Sequence, residues 1–110
     1  MIIGRPEALD IFRKWFSERP LLKCDLRFPL FSLCFRGRVF GLADNEVKVL
    51  SDDTFTELAL RIPDDASFGY GEPRDFPDED KHSRCVVVVS FGDNAADNEH
   101  DFIAFEELIP

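Results

Sequence analysis

The sequence predicts an α+β fold in which an N-terminal helix packs on a strongly bent antiparallel β-sheet, roll- or barrel-like, of five to seven strands. Three observations support this prediction. Apolar residues recur at helical spacing near the N-terminus, short segments with strand-like patterns follow, and no later segment offers the crossover helices that parallel strands need. The chain of 110 residues is short enough to form a single α+β domain, residues 1–110.

The helix is predicted to begin at Pro6 and to end before Pro20. Proline fits the first helical turn because its missing N–H has no partner there, and it disfavours helical geometry in the residue before it. The apolar stripe of this helix is expected to include Phe12, Trp15 and Phe16. An isolated helix of this length is marginal in water, so the stripe must dock on the sheet.

The next two strands are predicted from alternation of apolar and polar residues. Residues 22–28 place Leu and Cys on one phase and charged residues on the other, which is typical of a half-buried strand. Residues 31–36 repeat the pattern and predict a second strand. Gly37 is expected to turn the chain after it.

A hairpin is predicted around Asp44 and Asn45, which separate the strand-like residues 38–43 and 46–50. Gly41 within the first of these segments indicates a β-bulge or a close backbone approach. Residues 54–62 fit either a strand or a short helical turn, and the alternation before Pro63 favours the strand.

Residues 63–84 are rich in Pro, Gly and acids and predict a long loop. The last two predicted strands, 85–91 and 102–105, are apolar on both phases. Such strands must be covered on both faces. Either the sheet curls, or a second copy of the chain covers the other face.

Charge is distributed unevenly along the chain. Residues 1–50 have a net charge of +3 and residues 51–110 a net charge of −12, which together give −9. Eleven of the sixteen acids in the second part fall in residues 64–82 and 93–101. With a pI of about 4.6 and no basic stripe, the chain is not expected to bind nucleic acid.

The acidic segments are the candidate surface for a basic protein partner. Acidic surfaces speed association with basic proteins, and an aromatic residue in a polar loop can anchor a partner. The candidate partner-binding residues are Tyr70, Arg74, Asp78, Glu79 and Asp80.

Metal binding and catalysis have little support in the sequence. His82 and His100 lie in separate acidic segments without metal-ligand spacing, and no cofactor motif is present. Cys24, Cys34 and Cys85 form no Cys-x-x-Cys pair, so we expect free thiols, with Cys24 and Cys85 buried and Cys34 more exposed.

Three carboxyl groups lie next to apolar residues, where burial could tune them for acid–base catalysis. They belong to Asp25, Glu57 and Glu106, each on the polar phase of its predicted strand. We therefore expect all three to face solvent. No catalytic or metal-binding residue is predicted.

These patterns favour a non-catalytic protein-interaction or regulatory module in the cytoplasm, since no apolar segment is long enough to span a membrane or to serve as a secretory signal. An immunity-type role, neutralising a basic toxin, is one form compatible with the charge. The alternative is a small-ligand or metal-dependent enzyme with its site in a barrel mouth or dimer cleft. A third hypothesis is a structural homodimer, prompted by the two-sided apolar strands.

Overall fold

The computed structural model describes residues 1–28, 31–53, 56–72, 83–91 and 101–109. It contains one α-helix and eight strands in these residues, and the sheet is antiparallel throughout. In chain order the elements are β1 Ile2–Ile3, α1 Arg5–Glu18, β2 Leu22–Phe28, β3 Phe31–Ala43, β4 Glu46–Ser51, β5 Glu57–Arg61, β6 Ser67–Gly71, β7 Ser83–Ser90 and β8 Phe102–Leu108.

The sheet consists of two meanders joined in the middle. Its order is β1-β6-β7-β8-β2-β3-β4-β5, so β2 to β5 follow one another and so do β6 to β8. The two sets meet where β8 pairs with β2, with Phe105 opposite Cys24. The sheet is not closed: among the described strands, β1 and β5 form its two edges.

The sheet curls around α1, and Arg5 links its two ends. Arg5 follows β1 and donates hydrogen bonds to the carbonyl oxygens of Pro63 (3.0 Å) and Ile62 (3.2 Å), which follow β5. Its guanidinium also reaches the carbonyl oxygen of Asp44 at 3.5 Å. The concave face therefore encloses the helix.

The core forms where α1 packs on this concave face. Phe12 and Trp15 are fully buried and contact Phe105 of β8, with ring centroids 5.4 and 6.2 Å away. Phe16 was expected in the same stripe but is 39% exposed. It lies about 100° around the helix from Trp15, and the Arg19 guanidinium covers its ring instead.

The predicted fold class is confirmed: one N-terminal helix packs on a curled antiparallel sheet. The helix bounds, the Asp44–Asn45 hairpin, the strand before Pro63 and the irregularity at Gly41 are also confirmed. The sheet has eight strands rather than five to seven.

The predicted turn at Gly37 is wrong, because β3 runs unbroken through it. Gly37 pairs with Leu22 on one side and Ser51 on the other. A Cβ at this position would lie 2.4 Å from the carbonyl oxygen of Leu50. The glycine therefore permits a close approach between two strands.

The predicted long loop 63–84 is wrong in part, because it contains β6. Phe68 faces the core and is 4% exposed, and the strand pairs with both β1 and β7. Glycines flanking aromatic residues made this segment resemble a loop. The last strand is also longer than predicted and includes Glu106 and Glu107.

The two-sided apolar strands are covered within one chain. Val87 faces α1 and is fully buried, while Val86, on the opposite face, is 1% exposed. A second copy is not needed to bury them. In the described residues, no helix is long and apolar enough to cross a membrane.

Candidate binding groove

An apolar groove of about 510 Å³ opens on the concave face of the sheet, at the end that α1 does not cover. Its walls come from four strands, β2, β3, β5 and β8, together with one residue after β5 and one after β7. The lining residues are Leu26, Phe28, Leu33, Leu58, Ala59, Leu60, Arg61, Pro63, Phe91 and Ile103.

Strand alternation directs these side chains into the groove. Leu26 on β2 lies opposite Leu33 on β3 and Ile103 on β8, so all three share the face that carries the core. Leu33 is nevertheless 42% exposed. Phe28 and Phe91 close the end of the groove, with ring centroids 5.8 Å apart.

The groove runs along the outer edge of β5. The Ser51 N–H donates to the Thr56 carbonyl (2.9 Å) and the Ile62 N–H to the Asn45 carbonyl (2.6 Å), so even-numbered residues direct their backbone groups toward β4. Hydrogen-bonding direction alternates along an antiparallel strand, so the odd-numbered residues of β5 direct theirs away from β4. No described strand pairs with that edge.

The groove lining is apolar except at one residue. Among its described residues only Arg61 is charged, and Arg61 is exposed. Exposed acids flank both ends of β5. They are Asp52, Asp53, Glu57, Asp64 and Asp65. The groove is therefore an apolar surface with acidic residues at both ends of β5.

A buried polar cluster lies at the other end of the concave face. The Trp15 indole N–H donates a hydrogen bond of 2.7 Å to Glu107 Oε1, and both residues are buried. The other carboxylate oxygen of Glu107 lies 3.9 Å from Arg84 Nε. Because the indole satisfies part of the buried carboxylate, this contact fixes the helix on the sheet.

Cys85 and Tyr70 adjoin this cluster. Burial, and then the charge of Glu107, raise the pKa of the Cys85 thiol to about 11. Burial is also the main cause that raises the pKa of Tyr70, with the nearby Cys85 as the second cause. The thiol therefore stays protonated near neutral pH, which does not suit a nucleophile.

The cysteines lie where the sequence predicted. All three are free, Cys24 and Cys85 are buried, and Cys34 is exposed. Burial raises the pKa of Cys24 to about 12, with the nearby Cys34 as the second cause. In the described parts of the chain, no group of three or more His, Cys, Asp and Glu residues could hold a metal ion.

Tyr70 is the one predicted partner-binding residue within the described part of the chain. It is half-buried on β6, beside Cys85. The other four, Arg74, Asp78, Glu79 and Asp80, lie outside the described residues, and the structure does not bring Tyr70 to the groove. All five remain predictions, as does any role for His82 and His100, which also lie outside the described residues.

The solvent-facing prediction is wrong for Glu106. Glu106 is only 2% exposed. Glu57 is exposed as expected, and Asp25 is half-buried, with its Oδ1 3.0 Å from Arg27 Nε. Glu106 alternates to the convex face of β8, which is covered in this chain. A position on the polar phase of a predicted strand was therefore not enough to predict that the side chain is exposed.

Sequence reasoning also missed the groove. Most residues that line it were predicted to lie in strands. The sequence pattern does not show how much of the concave face the helix covers, so it did not indicate an uncovered end. The usable signal was the number of inward apolar residues on β2, β3 and β5, which exceeds what one short helix can cover.

No protein-family model, curated protein or solved structure matches this chain.

Proposed function

We propose that this protein is a non-catalytic interaction module that binds a basic protein partner. The observation that carries the proposal is the open apolar groove, whose lining holds one charged side chain among its described residues. Apolar side chains of the partner enter the groove. Lys and Arg residues of the partner form ion pairs with the acids that flank β5. The net charge of −9 favours the approach of a basic protein.

The size of the groove fits this role. A volume of about 510 Å³ accommodates several apolar side chains, and each buried Leu or Phe contributes about 1.5–3 kcal/mol. The exposed acids at its ends supply specificity and a faster association rate. An immunity-type role remains the narrower form of this proposal.

The enzyme alternative has less support. A ligand site normally holds a small number of converging polar groups within an apolar pocket. Among the described residues that line the groove, Arg61 is the only one with a polar side chain. The polar cluster around Glu107 is packed against α1, and Cys85 within it has a raised pKa.

The test is binding of synthetic peptides, followed by fluorescence anisotropy. We expect a peptide of alternating Leu and Lys to bind, and Leu33→Asp to weaken this binding about tenfold, since it removes one apolar contact. Ile109→Asp is the matched control, because Ile109 is similarly exposed (47%) and does not line the groove.

A peptide of alternating Ser and Lys separates groove binding from charge alone. The proposal predicts weak binding of this peptide. Equal binding of both peptides, or equal weakening by Leu33→Asp and Ile109→Asp, would contradict it.

A further inference from the structure

We propose that two copies of this chain associate edge to edge through β5, forming one continuous antiparallel sheet. The inference concerns a second copy of the chain and stands independently of the basic partner. It rests on three observations: the exposed edge of β5, the sequence of that strand, and the groove alongside it.

The edge of β5 has the geometry that strand addition needs. Its odd-numbered residues direct N–H and C=O groups away from β4. Glu57, Ala59 and Arg61 are all exposed. Ala59 and Arg61 also line the groove, although their side chains belong to the phase opposite Leu58 and Leu60. Among the described residues, no strand pairs with the backbone at this edge.

Edge strands usually carry features that prevent such pairing. Common ones are a very short strand, charged side chains, Pro or a bulge. β5 is five residues long and contains no Pro, and its pairing with β4 shows no register shift. Its two charged residues, Glu57 and Arg61, have opposite signs, so they repel a second copy only in registers that place like charges opposite each other.

The sequence of β5 is complementary to itself in one register. When two copies run antiparallel with Ala59 opposite Ala59, Glu57 of each copy lies opposite Arg61 of the other. All of these residues have outward backbone groups, so each such pair would exchange both of its hydrogen bonds. Opposite charges directly across a strand pair stabilise it.

The same register places apolar residues together. Leu58 of one copy lies opposite Leu60 of the other, on the face that lines the groove. Side chains of opposed residues lie on the same face of a sheet, so the two grooves would become continuous across the two-fold axis.

The surroundings of the ion pairs are compatible with this contact. On β4, Glu46 lies opposite Arg61, and the Glu46 carboxylate is 3.9 Å from Lys48 Nζ. Glu57 lies opposite the uncharged Leu50. Glu57 therefore has no charged residue opposite it on β4 and can pair with Arg61 of the second copy. Arg61 would lie between Glu46 of its own chain and Glu57 of the second copy.

Charge reversal at the two ends of β5 tests the proposal by sedimentation velocity. We expect the wild type to dimerise, and Glu57→Arg and Arg61→Glu each to weaken self-association about tenfold, because each replaces two attractive pairs by two repulsive ones. Glu18→Arg is the matched control for charge, since Glu18 is exposed on α1. It should dimerise like the wild type.

Mixing the two variants distinguishes the proposed register from misfolding. An equimolar mixture of Glu57→Arg and Arg61→Glu restores both attractive pairs, so we expect a heterodimer. A wild type that stays monomeric at high micromolar concentration would overturn the proposal, as would a dimer that neither variant weakens. Either outcome leaves the peptide-binding test of the groove unaffected.

Discussion

At one end of the concave face, α1 presses Phe12 and Trp15 against Phe105, and none of the three is more than 1% exposed. At the other end Leu33, on the same face of the same sheet, is 42% exposed. Both ends are built from inward-facing apolar residues. The difference lies in the reach of a helix of 14 residues, about 21 Å long. Whether α1 covers the apolar residues, rather than which residues they are, determines which end of the concave face is a core and which is a groove.

The largest expected effect is at the covered end. We expect Phe12→Ala to lower the free energy of unfolding by about 3–5 kcal/mol, because it opens a cavity against Trp15 and Phe105. Leu33→Ala at the open end should cost less than about 1 kcal/mol, since solvent already reaches the side chain. Urea denaturation measures both. Similar losses would show that the two ends are equally packed.

A smaller effect is expected at the polar contact of the covered end. Glu107→Ala leaves the buried Trp15 indole N–H without its acceptor, which should cost about 1–3 kcal/mol. Glu107→Gln keeps an acceptor oxygen and should cost less. Urea denaturation followed by tryptophan fluorescence compares them, with the exposed Glu18→Ala as control. A greater loss for Gln than for Ala would refute the assigned role of the hydrogen bond.

The smallest effect is a loss of stability at alkaline pH. Folding raises the Cys85 pKa from 9.0 to about 11, so the thiolate favours the unfolded chain. The stabilisation is complete below pH 9 and declines as the pH rises toward 11. We expect the urea midpoint to fall across this range, and to fall less in Cys85→Ser. Identical pH profiles for both proteins would contradict the burial-driven shift.

Much of the fold was predictable from local pattern. Helical spacing located α1, and alternation located β2, β4 and β5. Two failures, the turn at Gly37 and the loop in place of β6, share one cause: Gly37, Gly69 and Gly71 lie within strands, where a missing side chain permits close contact between backbones or leaves a segment resembling a loop. Local sequence does not reveal which neighbour a strand acquires.

The candidate site was less predictable because it depends on long-range geometry. Alternation assigned Leu33 and Leu58 to an inward face, yet their exposure depends on where α1 ends relative to the sheet. The burial of Glu106 likewise depends on what covers the convex face of β8. Charge pattern suggested a basic partner, but the position of an apolar surface required the tertiary fold.

The pairing of β2 with β8 has a consequence for folding during synthesis. Leu22 lies opposite Glu107, so the centre of the sheet joins residues from nearly opposite ends of the chain. The meander from β2 to β5 can form early from local hairpins, but Trp15 and Phe12 lack their β8 contacts until residues 102–108 emerge. Contacts between residues so distant in sequence slow folding. The nascent chain therefore exposes its helix stripe until β8 has been synthesised, and a chain truncated before Phe102 would lose the pairing that holds its two meanders together.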